Sequence, residues 1–148
     1  MPPTFDAMIK PVTLLTICCL LWACNDDEAP APVTFNKKVE FILQTDIDYN
    51  HSSYAELEIS VYLAVSRNLY NGGGEIVWDT LISELAAHEF ELINGYEKEV
   101  LIKDVEVDNQ SISYSRNILY NNNGSETFSA KTSYLGRMDL EHVEIVHF

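Results

Sequence analysis

Cysteine is confined to positions 18, 19 and 24 of the 148 residues, so nothing from Asn25 to Phe148 can form a disulfide. Basic residues are also scarce: 9 Lys and Arg stand against 23 Asp and Glu, for a net charge of −14. Binding to phosphate backbones or anionic membrane surfaces needs clustered cations, so this balance argues against a nucleic acid partner. An apolar run long enough to cross a bilayer is missing as well. VTLLTICCLLW, Val12 to Trp22, has eleven uncharged residues, whereas a spanning helix needs about 20 and a secretory apolar region about 7 to 15.

That run follows Lys10 and reads as a cleaved secretory signal, with Met8 as an alternative start that leaves a compact basic MIK. It ends in LWAC, Leu21 to Cys24, which resembles the lipobox of bacterial lipoproteins: Leu at minus three, Ala23 at minus one, then Cys24. Trp22 departs from that pattern, where a small or β-branched residue is usual. Cys18 and Cys19 fit less well, because Ile17 and Cys18 precede them. The resemblance implies acylation of Cys24, which also accounts for a lone extracytoplasmic thiol. Each buried CH₂ of acyl chain contributes about 0.8 kcal/mol, and stable anchoring takes two chains or more. NDDE, Asn25 to Glu28, is similar to the surface-export signal of Bacteroidetes lipoproteins, and APAP follows as a stiff spacer. The expected organisation is a signal peptide over 1–23, an acidic and proline-containing linker over 24–32, and one domain over 33–148. The resemblance implies anchoring in the outer membrane, facing outward.

Removing Asp6 and Lys10 with the signal leaves 22 acidic and 8 basic residues, so the charge stays at −14. The 125 residues from Cys24 onward are enough for one cored domain. Their pattern has period two. Leu57, Ile59, Val61, Leu63 and Val65 alternate with Glu56, Glu58, Ser60, Tyr62 and Ala64, as in a half-buried antiparallel strand. Val39, Phe41, Leu43 and Ile47 alternate similarly with Glu40, Gln44 and Asp46, and Phe128, Ala130 and Tyr134 lie opposite Lys131. EIVWDTLI, EKEVLIKDVEV, QSISYS and MDLEHVEIVHF add further strands. Asn71-Gly72, Asn94-Gly95 and Asn123-Gly124 are hairpin dipeptides, because both residues tolerate positive φ. Only SELAAHEF, Ser83 to Phe90, has helical composition. About seven strands at this spacing predict an all-β fold, a single antiparallel β-sandwich of immunoglobulin-like or transthyretin-like type.

One series occurs twice, as SRNLYNGGGE from Ser66 and SRNILYNNNGSE from Ser115. Each copy is expected to be a hairpin tip. Arg67, Tyr70 and Asn71 then correspond to Arg116, Tyr120 and Asn121, and these six form a candidate ligand-binding set. Exposed tyrosine with asparagine amides suits a sugar or a protein, the ring giving apolar area and the amide directional hydrogen bonds. The structural alternative has the rings capping the sandwich ends and the arginines pairing with acids.

NGGGE is not a phosphate loop, since Glu75 and a β-branched run follow where a helix with Lys or Ser/Thr is needed. Asp46, Asp48 and Asn50 resemble the start of a calcium loop, but His51 replaces the turn glycine and Leu57 the bidentate Glu. They are a candidate calcium site against the alternative of a solvated strand end. His142 and His147 are five apart, on opposite faces of a strand; His51 and His88 are isolated. There is no Gly-x-Ser-x-Gly elbow. DTL, Asp79 to Leu81, is similar to a Bacteroidetes O-glycosylation motif, and N-x-Ser sequons stand at Asn50, Asn109 and Asn123. The expectation is a non-catalytic binding or structural module without cofactor, partnered by the membrane through its lipid and by a glycan or protein. A glycan-binding accessory of nutrient uptake, an adhesin or assembly subunit, and lastly a hydrolase are the competing readings. A row of exposed aromatics would favour the first, an unpaired apolar sheet edge the second, and a cleft with His and carboxylate the third.

Overall fold

A computed structural model describes residues 30–148, and Pro32–Phe148 forms one compact unit. The signal-like run, LWAC with Cys24, and NDDE lie outside the described residues. The fold is all-β, as the alternation predicts. Seven strands are described: β1 (Thr34–Gln44), β2 (Leu57–Leu69), β3 (Gly74–Ala86), β4 (Glu97–Glu106), β5 (Gln110–Asn122), β6 (Ser125–Leu135) and β7 (Glu141–His147). They make a four-stranded sheet in the order β3-β2-β5-β6 and a three-stranded sheet in the order β4-β1-β7. The larger sheet is antiparallel throughout; in the smaller one β7 runs parallel to β1.

Period two turns directly into a shared core. Val39, Phe41 and Leu43 of β1 and Ile59, Val61, Leu63 and Val65 of β2 are buried in one cluster with Ile112 and Ile118 of β5 and Val100 and Ile102 of β4. Phe41 stacks on Trp78 of β3, ring centroids 5.7 Å apart, so a large side chain of each sheet meets the other. Phe90 touches both Tyr49 and Phe148 at 5.2 Å and fills one end. Truncating a phenylalanine at such a position costs about 3–5 kcal/mol, transfer and cavity terms together.

Several expectations need correction. Ile47 is exposed, because β1 stops at Gln44 and the alternation stops with it. SELAAHEF is not an α-helix: β3 continues through Ala86, and a 3-10 segment of about two turns, Ala87–Leu92, follows. The Glu89 carboxylate accepts the Ala86 N–H at 3.0 Å at the start of that segment. Asn94-Gly95 is no hairpin but part of the crossing from β3 to β4. Its chain docks on β1 by Gly95 N–H to Leu43 O (2.8 Å) and Leu43 N–H to Tyr96 O (3.0 Å).

β5 reaches well past QSISYS, to Asn122, so the second Ser-Arg-Asn lies inside a strand. Only Asn123-Gly124 turns there, with φ of 52° and 82°. In β2 the strand likewise runs through Ser66-Arg67-Asn68, leaving the tip to Tyr70 through Gly73.

Candidate functional site

β2 and β5 pair antiparallel from Leu57↔Asn122 to Leu69↔Gln110. The β2–β3 turn follows Leu69 and the β5–β6 turn follows Asn122, so the two tips stand at opposite ends of this ladder. Twelve residue steps separate them, about 40 Å at strand rise. The six candidate residues are therefore not one site. The repeat contains its own reason. Tyr70 comes three residues after Arg67, whereas Ile118 lengthens the second copy so that Tyr120 comes four after Arg116. On a strand, one extra residue moves a side chain to the other face. Tyr120 accordingly packs against the core, while Tyr70 stands 59% exposed at its tip. Burial holds the Tyr120 phenol above the ordinary tyrosine range, with Arg116 acting in the opposite direction. Asn121 faces away from the core and accepts the Gly124 N–H at 3.0 Å, a turn-stabilising role.

The arginines do correspond. Arg67 pairs in register with Ile112 and Arg116 with Leu63, so both point into the space between the sheets. Arg67 donates to Lys103 O at 2.8 Å and sits 3.8 Å from the Glu75 carboxylate. Arg116 lies 3.6 Å from Glu144. Each is a polar plug paired with an acid, which is the structural alternative stated for them.

At the Arg67 end the plug leaves room. One cavity of about 310 Å³ is lined by Arg67, Leu69, Gly74, Glu75 and Gln110. A second of about 410 Å³ shares Leu69 and Gln110 and adds Tyr70, Asn71, Glu106 and Asn109. The connection from β4 to β5 forms their far wall and is tied to the tip by Tyr70 N–H to Asn109 O at 3.0 Å. Gly74 is required there, since a Cβ would fall 2.8 Å from Arg67 O. The acids of this groove are engaged: Glu75 by Arg67, and Glu106 by the Asn109 amide at 3.1 Å. Three of the predicted residues, Arg67, Tyr70 and Asn71, thus meet in one groove with Asn109 and Gln110, two amides that the sequence reading marked only as part of an N-x-Ser sequon.

The candidate calcium residues lie past the end of β1, in a bend and turn instead of an extended strand. Asp48 accepts the Asn50 N–H at 3.1 Å in a turn, and the Asn50 amide donates to Glu91 at 3.2 Å. Among the described residues no group of three or more acids or histidines converges on a common point. His51 accepts the Ser53 N–H at 3.3 Å and caps a short 3-10 turn, Ser52–Tyr54.

A second cluster escaped the sequence reading. Glu144 of β7 is buried and meets Lys131 at 2.7 Å, Arg116 at 3.6 Å and His142 at 3.4 Å. His142 is also 2.8 Å from the Tyr114 hydroxyl and stacks on that ring. His142 thus packs inward against Tyr114 and Glu144, while His147 is exposed on the opposite face as expected. The available signal was H-V-E on β7, where period two puts His142 and Glu144 on one face. Neither residue lines the cavities described above. Compared with protein-family models, curated proteins and solved structures, the chain matches none.

Proposed function

We propose that the protein is a non-catalytic binding module, held at a bacterial outer surface by lipid on Cys24, whose groove at the β2–β3 end takes an oligosaccharide. The observation that carries the binding reading is the convergence of exposed Tyr70 with the amides of Asn71, Asn109 and Gln110 around two adjoining cavities. A tyrosine ring supplies flat apolar area at little entropic cost, and side-chain amides both donate and accept toward hydroxyls. The cavity sizes of about 310 and 410 Å³ fall in the range of small-molecule sites. LWAC supports the anchor, as does the restriction of cysteine to residues at or before Cys24.

The test is a glycan array probed with wild type and Tyr70→Ala. Binding lost in the variant at an unchanged melting temperature supports the groove; equal binding by both proteins refutes it. An assembly role is a second reading, favoured by β7, an edge of the three-stranded sheet with Val143 and Ile145 exposed. Such an edge offers unpaired main-chain groups to another strand. Sedimentation that shows concentration-dependent oligomers, abolished by Ile145→Lys, would select that reading.

A further inference from the structure

The four-stranded sheet has an outer face whose make-up differs from the rest of the chain. Register places four rows across β2, β5 and β6, from Ser60, Leu119 and Phe128 at one end to Ser66, Ser113 and Tyr134 at the other. Four rows of three strands give twelve positions, and none carries a charge, in a chain with 22 acids after Cys24. Their flanks are Glu58 and Glu126 beyond one end and Asp79 on β3, which accepts the Tyr62 hydroxyl at 3.2 Å.

This neutral strip is neither simply polar nor simply apolar. Phe128 is 63% exposed and Tyr134 68% on β6, with Leu81 at 62% and Ile76 at 60% on β3 at the opposite edge of the sheet. Between these lie the hydroxyl and amide groups of Ser115, Asn117 and Thr132. Ring faces that take C–H groups, interleaved with groups that both donate and accept hydrogen bonds, match the surface of a sugar polymer.

We infer that this outer face binds an extended, uncharged polysaccharide, as a site separate from the groove and independent of it. Charge decides against other occupants. An anionic polymer would meet an acidic rim around a strip that has no cation, and a second copy of the chain would bring another −14 against it. Size decides in the same direction. Phe128 and Tyr134 are six residues apart, about 20 Å, and the three strands span about 10 Å, so the strip covers roughly 200 Å². A stable protein interface needs about 800 Å² per partner. A polymer laid across the strip needs far less, and its length adds avidity by offering repeated sites.

Affinity electrophoresis and pull-down of the full-length protein test this. Neutral polymers (cellulose, β-glucan, mannan, starch, chitin) are compared with anionic ones (polygalacturonate, alginate, heparin). The wild type is expected to be retained by at least one neutral polymer. Phe128→Ala with Tyr134→Ala should weaken that retention tenfold or more, and Phe128→Tyr with Tyr134→Phe should restore it. Tyr70→Ala, which alters only the groove, should leave it unchanged. Melting of the alanine pair should match wild type, since both side chains are mostly in solvent. Failure to bind any neutral polymer overturns the inference, as does retention by anionic polymers alone. Binding unaffected by the alanine pair overturns it, and so does a dimer that the alanine pair dissociates. Loss with Tyr70→Ala but not with the alanine pair would leave the groove reading standing and end this one.

Discussion

Replacing Lys37 by methionine keeps an unbranched apolar stem of the same length and removes the ammonium, so its effect chiefly reports one interaction. Lys37 is 2% exposed on β1, and its Nζ donates to three backbone carbonyls: Gly136 at 2.8 Å, Arg137 at 2.9 Å and Asp139 at 2.7 Å. All three donors of the ammonium are used. Those carbonyls belong to the loop that carries the chain from β6 in one sheet to β7 in the other. The loop also closes on itself, Gly136 N–H to Asp139 Oδ2 and Asp139 N–H to Gly136 O, both 3.1 Å. It then enters the smaller sheet by Lys38 N–H to Leu140 O at 2.8 Å. Losing a partner of a charged hydrogen bond costs about 1–3 kcal/mol per group, and the exposed loop lets water recover much of it. About 1 kcal/mol for each carbonyl gives a loss near 3 kcal/mol, or about 10 °C in melting temperature for a domain of this size. Urea titrations of both proteins measure it; a difference below about 1 kcal/mol would refute the staple. A pH series gives the second check. Burial holds the Lys37 ammonium below the ordinary lysine range, with the Asp139 carboxylate opposing. The unfolded chain then binds the extra proton between that lowered value and 10.5, so folding gains as pH rises through the window. The stability advantage of wild type over Lys37→Met should widen across it, and a narrowing gap would contradict the assignment.

The Glu144 cluster predicts an order of costs. Glu144→Ala should destabilise by about 3 kcal/mol by leaving Arg116, whose side chain is only 22% exposed, without its acid, whereas Lys131→Ala should cost under about 1 kcal/mol because that side chain is half in water; denaturant titration giving equal costs would refute the ranking. Tyr49 and Tyr120 have phenols raised above the ordinary range by burial, so their contribution is complete below pH about 10 and is lost as pH rises through their folded values. A melting temperature that falls in step with tyrosinate absorbance checks this, read in Lys37→Met because Lys37 acts in the opposite sense. Cys24 should carry acyl chains in the N-terminal peptide of protein isolated from its native membrane. Mass spectrometry finding a free thiol at Cys24 would refute the anchor.

What the sequence by itself determined is whatever depends on neighbours along one strand. The alternation from Leu57 to Val65 decided which side chains enter the core, because period two leaves one burial face. Asn123-Gly124 decided where β5 turns, because both residues accept positive φ. Tertiary structure decided what depends on partners far away in the chain. The second Ser-Arg-Asn series reads as a tip, yet its Arg116 continues the inward face of β5 because Glu144, twenty-eight residues later, neutralises it there. Lys37, which no sequence motif marks, is a buried staple because the carbonyls it serves are about a hundred residues on. The two Ser-Arg-Asn series read as two hairpin tips. Antiparallel pairing of their strands sent the turns to opposite ends, and Ile118 put Tyr120 on the face that Tyr70 does not share. The uncharged strip is invisible along any one strand, since its rows run across β2, β5 and β6 and exist only once register is set. Charges, turns and alternation are local and can be read directly. The pairing of a buried charge and the make-up of a sheet face are non-local, so they appear only when folding brings distant segments into register.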